Sequence, residues 1–266
     1  MPPFPAFFVQ NNFVERLTVP VARFAHANGI ALLDRSSTDD FDPDDCGVPW
    51  AEYVPVLPYG SVQFIRKLAS SQLRPYVWHS ETAFDARLWS ATFPDHFLNA
   101  GGVPVSADQL HALLERGPLH VRPLAQDKVF NAGLFDGASW RAVMASRRLD
   151  PELACWASAP QSIRREWRCW VVGHEVVGAS GYARAGKLKL AAGAPPEVVS
   201  LAQDIAARWI PAPCVVLDVA QTDAGLKLLE FNPIHCAGWY AVDVPHVLRA
   251  WLAWSCRHFA GARFCG

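Results

Sequence analysis

The chain has 266 residues, a length for one or two domains. Its 24 Lys and Arg against 25 Asp and Glu leave a net charge of −1, which excludes nucleic-acid binding by bulk charge and an acidic solvating tail. With 51% hydrophobic and 18% charged residues it is a packed globular chain rather than a disordered one.

The start, MPPFPAFFVQNN, has prolines and no basic region, unlike a signal peptide, and no apolar run approaches the roughly 18 residues of a membrane span. Residues 7–10 form a short apolar run. A helix follows, with Thr18 as N-cap, Pro20 in the first turn and Asn28-Gly29 at its end. Residues 30–33 and 54–57 read as strands, the acidic stretch 36–49 between them as a solvated loop, and SVQFIRKLA as a helix capped by Ser61. Residues 76–78 offer a fourth strand. Such alternation predicts an open, Rossmann-like α/β layer over 1–105.

Beyond the break at Gly101-Gly102-Val-Pro104 the strands come as hairpins: 119–124 with 128–130, 166–172 with 176–182 across Gly173-His174, and 214–220 with 226–232 across 222–225. Two amphipathic helices accompany them. One opens at Pro195-Pro196 with Val198, Leu201, Ile205 and Trp209 inward; the other spans about 245–259 with Val247, Trp251 and Ser255 or Trp254 inward. The seven cysteines are odd in number and form no CxxC pair, so they read as reduced buried thiols of a cytoplasmic protein, not as disulfides or a zinc site.

The chemistry concentrates in CVVLDVAQTDAGLKLLEFNP. Counting outward from the turn near Ala224 sets Asp218 opposite Glu230, with Asn232 on the same face. Opposed carboxylates repel, so in apolar surroundings a cation belongs between them. Oxygen-only donors of this kind suit Mg²⁺ completed by water and phosphate. The plainer alternative leaves both acids in solvent on an exposed sheet.

LDVAQTDAGLKLLEFNP resembles the metal-binding hairpin of the ATP-grasp superfamily. REWRCWVVGHEVVGASGY is similar to that superfamily's acid-x-Arg hairpin, with Glu166 and Arg168 as the pair. LHVRPLAQDKVFNAGLF resembles its phosphate-lysine strand pair, which aims Arg122 and Lys128 at nucleotide phosphates. These motifs stand in order over about 115–240. PVLPYGS and Phe97-Leu98-Asn99 resemble a branch marked by one arginine and two lysines among its nucleotide contacts.

The resemblance implies a two-lobed ATP-grasp domain over 106–266, binding ATP and Mg²⁺. Asp218, Glu230 and Asn232 are its implied metal ligands, and Arg168 steadies an acyl-phosphate. Trp156 and Ser158, in a hinge at 155–158, lie at the adenine, and Glu166 is a nucleotide contact or a structural partner. Many relatives carry a second arginine where this chain has Tyr182; Arg184 is its nearest substitute. The further lysine is Lys187 or Lys189. The implied activity is a carboxylate–amine ligase acting on a small-molecule, amino-acid or peptide substrate, with ADP and phosphate as products. An ATP-binding regulatory module without turnover and a phosphotransferase on the same fold are the alternatives. His235, in NPIHCAGWY, reads as a loop histidine shaping the pocket.

Overall fold

A computed structural model describes residues 4–36, 41–80, 82–124 and 129–259. Strands β1 (Phe4–Gln10), β2 (Ala31–Arg35) and β3 (Tyr53–Tyr59) form a parallel sheet in the order β2-β1-β3. Parallel neighbours need a crossover, which α1 (Glu15–Ala27) supplies. The helix starts before the expected Thr18 and holds Pro20 inside. Thr18 does not cap it: its hydroxyl donates back to the Glu15 carbonyl at 3.4 Å, while the Val14 carbonyl accepts the first helical bonds. Ser61 caps α2 (Val62–Leu68) as expected, accepting from Phe64 N at 3.2 Å. The strand expected at 76–78 is absent; Arg74–Tyr76 is a 3-10 turn with Pro75 inside it. Helix α3 (Ala86–Thr92) closes this region.

The next sheet is built from β4 (Val103–Ser106), β5 (Leu119–Pro123), β6 (Gly133–Phe135) and β7 (Ala154–Ser158), in the antiparallel order β4-β7-β5-β6. Helices α4 (Leu110–Leu114) and α5 (Gly137–Arg147) share a core with one face, through Leu110, Leu114 and Trp140. The boundary expected near 105 falls inside β4. The strand expected at 128–130 is displaced to β6, and Lys128 lies outside the described residues. The segment expected as a hinge, 155–158, lies in β7, flanked by β4 and β5.

Strands β8 (Arg165–Val172), β9 (Glu175–Arg184), β10 (Lys187–Ala192), β11 (Cys214–Thr222) and β12 (Gly225–Pro233) make an antiparallel sheet in the order β10-β9-β8-β11-β12. Two tight turns carry the left-handed backbone of type I′ hairpins: Gly173 and His174 at φ 58° and 72°, Ala185 and Gly186 at 50° and 71°. Helix α6 (Pro196–Arg208) and the 84–97 region cover one face, over Cys169, Val171, Val215 and Leu217. The opposite face is covered at one end, where Trp170, Val172, Cys214 and Val216 pack with α7 (Val244–Phe259) and with Phe7, Val9 and Leu57 of the N-terminal layer. Its other end opens toward the four-stranded sheet and carries the charges.

Among the described residues no helix is long and apolar enough to cross a membrane.

Candidate functional site

The expected register holds: Asp218 lies opposite Glu230, and Val216 opposite Asn232. On its other flank Asp218 lies opposite Arg168 of β8. One rung of the sheet thus carries Arg168, Asp218 and Glu230 on three adjacent strands.

The cation beside Asp218 is a guanidinium. Arg168 donates to it in a fork, Nε to Oδ1 at 2.8 Å and Nη2 to Oδ2 at 2.7 Å, with Asp218 only 1% exposed. Burial pushes the Asp218 carboxyl up to about 6 against the pull of Arg168. The two-pronged contact marks an ionic pair, and Asp218 more than offsets burial in holding Arg168 protonated.

Glu230 meets a second guanidinium, from the facing sheet. Arg122 Nη2 of β5 lies 3.3 Å from Glu230 Oε2, and Asn232 Nδ2 donates to Glu230 Oε1 at 2.7 Å. Arg122 is 4% exposed, and its Nε is a buried donor with no hydrogen-bond acceptor.

Aromatic faces hold both arginines. Arg122 lies 4.7 Å from the Trp89 ring centroid. Arg168 lies 5.0 Å from Tyr240 and 5.7 Å from Tyr182, two rings stacked at 4.8 Å. Tyr182 donates to Glu166 Oε2 at 2.7 Å, so Glu166 has a structural partner. Tyr240 sits at φ 52°, a backbone region rare for an aromatic residue.

Arg122, Arg168, Glu230, Asn232 and Tyr240 line a cavity of about 370 Å³ between the two sheets, closed by 130–132 and 236–238. Trp156 and Ser158 are buried in β7 and turn to Asn99: Trp156 Nε1 donates to its carbonyl at 2.9 Å and Ser158 Oγ to its Oδ1 at 3.1 Å. Asn99 is placed by the 96–98 segment, which pairs with Leu228 of β12. Gly102 lets this packing form, since a Cβ there would stand 2.3 Å from Trp156 Nε1. Beside them His120, on β5, is pushed down to about 4, first by burial and then by Arg122.

Arg184, Lys187 and Lys189 are not brought to this cavity. Arg184 lines a separate depression with Arg164 and Arg165, Lys187 is exposed on the edge strand β10, and Lys189 flanks Trp167 in a third. His235 is fully buried: its Nε2 accepts from Trp78 N at 3.0 Å, so Nδ1 carries the proton given to the Pro58 carbonyl at 2.9 Å. That is a role in shaping the loop.

Tyr240, Trp89 and His120 were missed in the sequence because no motif marks them; Asn99 was visible only as part of Phe97-Leu98-Asn99.

The donor set suits a metal–nucleotide complex. Glu230 and Asn232 offer hard oxygen donors at the cavity wall, and two guanidinium groups face the same space to meet phosphate. Among the described residues no group of three or more His, Cys, Asp or Glu could hold a metal. Phosphate oxygens would therefore have to complete a magnesium shell, as that ion's reluctance to dehydrate favours.

The sequence has no significant match among curated proteins. Solved structures of the same fold include a RimK domain ATP-grasp protein of Sphaerobacter thermophilus, 15% identical with a TM-score of 0.65 over 93% of this chain and 99% of that one. The D-alanine–D-alanine ligase of Bacillus anthracis is 10% identical, with a TM-score of 0.62 over 96% and 98%. The ATP-grasp ligase PsnB, complexed with a phosphomimetic variant of its minimal precursor, Mg and ADP, is 14% identical with a TM-score of 0.56 over 96% and 99%. The model of an ATP-grasp domain, family 3 of the clade of one arginine and two lysines, matches residues 59–252, more than half of the chain, and this protein belongs to that family.

Proposed function

We propose that the chain is an ATP- and magnesium-dependent ligase that joins a carboxylate to an amine. ATP phosphorylates the carboxylate, and the amine then displaces phosphate from the acyl-phosphate to leave an amide, ADP and phosphate. The observation that carries this reading is the meeting of Arg122, Arg168, Glu230 and Asn232 in one cavity between two sheets. Arg168 is the group to steady the acyl-phosphate and Arg122 the group to hold the nucleotide phosphates. When bound, magnesium would supply charge neutralisation at the phosphates; Glu230 and Asn232 would hold it, joined by Asp218 once Arg168 releases that carboxylate. A small molecule, an amino acid or a peptide would carry the carboxylate and the amine. The free state of the described cysteines fits a reducing, cytoplasmic setting.

Two measurements test this. Mg-ATP at a hundredfold excess over Kd stabilises a native protein by roughly 2.7 kcal/mol, here a melting rise of roughly 5–10 °C. ADP release should then depend on both a carboxylate and an amine from a panel of acceptors. A melting rise without acceptor-dependent ADP release would return the chain to a binding module, and no rise at all would sink the nucleotide reading.

A further inference from the structure

The charges at the centre of the cleft satisfy one another. Every carboxylate oxygen of Asp218 and Glu230 faces a nitrogen of this chain. Arg168 takes both oxygens of Asp218, at 2.8 and 2.7 Å; Asn232 Nδ2 takes Glu230 Oε1 at 2.7 Å, and Arg122 stands 3.3 Å from Oε2. Two acids and two bases sum to zero, and Asp218, Arg168 and Arg122 are all more than nine-tenths buried. The anions that would hold a metal are thus held by the cations that would hold phosphate.

We propose that divalent metal and nucleotide enter this site together by an exchange of partners. Asp218 and Glu230 pass from the guanidinium groups to the metal, while Arg168 and Arg122 pass from the carboxylates to the phosphates. The proposal rests on the nucleotide reading above and adds how the site admits its ligands.

Three occupancies can be compared. Metal alone would satisfy the acids but strand two buried guanidinium groups, an unfavourable state in a low-dielectric site. Phosphate alone would satisfy the arginines but leave Asp218 and Glu230 facing each other across one rung, where like charges repel. Only both together leave each charge paired. The aromatic faces let the exchange occur without losing the arginines' placement. Trp89, Tyr182 and Tyr240 contact the flat faces of the guanidinium groups, and the hydrogen-bonding edges stay free to change acceptor. Binding linkage is reciprocal, so each ligand must tighten the other by one common factor.

The test uses the full chain with Mn²⁺, counted by its EPR signal, and ADP, followed by calorimetry, after subtracting the Mn–ADP complex formed in free solution. In the wild type each ligand alone binds weakly, and saturating amounts of either tighten the other by about tenfold or more. Arg168→Met releases Asp218 and raises the affinity for Mn²⁺ alone by about tenfold while shrinking the coupling. Asp218→Asn releases Arg168 and raises the affinity for ADP alone. Should Arg168→Met not fold, Arg122→Met asks the same question through Glu230, whose side chain is 25% exposed, and the wild-type coupling needs no variant. Mn²⁺ binding the wild type equally well with and without ADP overturns the proposal. So does a folded Arg168→Met or Arg122→Met whose affinity for Mn²⁺ alone is unchanged or lower. Failure of the wild type to bind ADP with Mn²⁺ at any concentration instead sinks the nucleotide reading, and the exchange with it.

Discussion

The two ends of one face of the five-stranded sheet solve burial in opposite ways. Along β8 and β11, Trp170, Val172, Cys214 and Val216 lie under α7 and the N-terminal layer, and everything they meet is apolar. One rung further, on the same face of the same strands, Arg168 and Asp218 are almost as buried and are charged. Apolar burial stabilises directly, at about 25 cal/mol per Å² removed from water. A buried ion pair does not, because desolvating two charges offsets most of their attraction. The covered end therefore holds the fold, and the open end keeps its charges for ligands.

Breaking either end singly should cost most. Trp251, fully buried against Phe7, Trp78 and His235, anchors the covered end, and Trp251→Ala should cost about 3–5 kcal/mol in urea unfolding. Arg168→Met, which strands Asp218, should cost a similar 3–5 kcal/mol. The double variant Arg168→Met with Asp218→Leu separates the two ends. It should recover most of that loss, or exceed the wild type, while abolishing Mg-dependent ADP binding. No recovery would mean that the pair does hold the fold.

Acid should act next, through the covered end. Burial holds His235 down to about 4, against an ordinary value of 6.5, and its contacts demand the neutral ring, since protonating Nε2 would evict the Trp78 amide. Below pH 6.5 the unfolded chain takes up a proton that the folded chain refuses. Stability is thus full above pH 6.5 and falls as pH drops toward 4, by roughly 3 kcal/mol from this residue. His120 shifts the same way and adds to the slope. In His235→Gln the unfolding free energy should be lower at pH 7.5 but flatter between pH 6.5 and 4. An equally steep slope in that variant would assign the acid sensitivity elsewhere.

What the sequence made legible follows period and punctuation. The Asp218–Glu230 register could be counted from the turn because strand side chains alternate with period two and Thr222 pairs with Gly225 across a tight turn. Partners of the charges could not be counted. Arg168 finds Asp218 fifty residues away on a neighbouring strand, and Arg122 finds Glu230 across the cleft between two sheets. Helix α5 escaped because Trp140 is its only buried residue, leaving no apolar stripe to read. Strand β10 escaped because all six residues of KLKLAA are exposed. Thr18 and Pro20 looked like a helix start because both residue types favour the first turn, yet the chain begins α1 at Glu15.

The smallest effects should come from the cations outside the cleft, and they sharpen the contrast between paired and solvated charge. Arg184 and Lys187 end β9 and begin β10 on either side of the Ala185-Gly186 turn, and both are exposed. Arg164, beside them, pairs with Asp223, but both side chains are two-thirds exposed. Exposed pairs and lone surface cations contribute little because water screens them. Arg184→Ala and Lys187→Ala should each change unfolding free energy by under about 0.5 kcal/mol. Their influence on ligands is the sharper question, because the family resemblance gives Arg184 a part in catalysis and Lys187 a nucleotide contact. In the arrangement seen here neither lines the cavity of Arg122 and Arg168, so both variants should bind Mg-ADP within about threefold of the wild type, under 1 kcal/mol. A loss beyond about tenfold in either variant, with melting unchanged, would show the β9–β10 hairpin folding over the nucleotide when it binds. These two cations would then belong to the closed site rather than to the solvated edge.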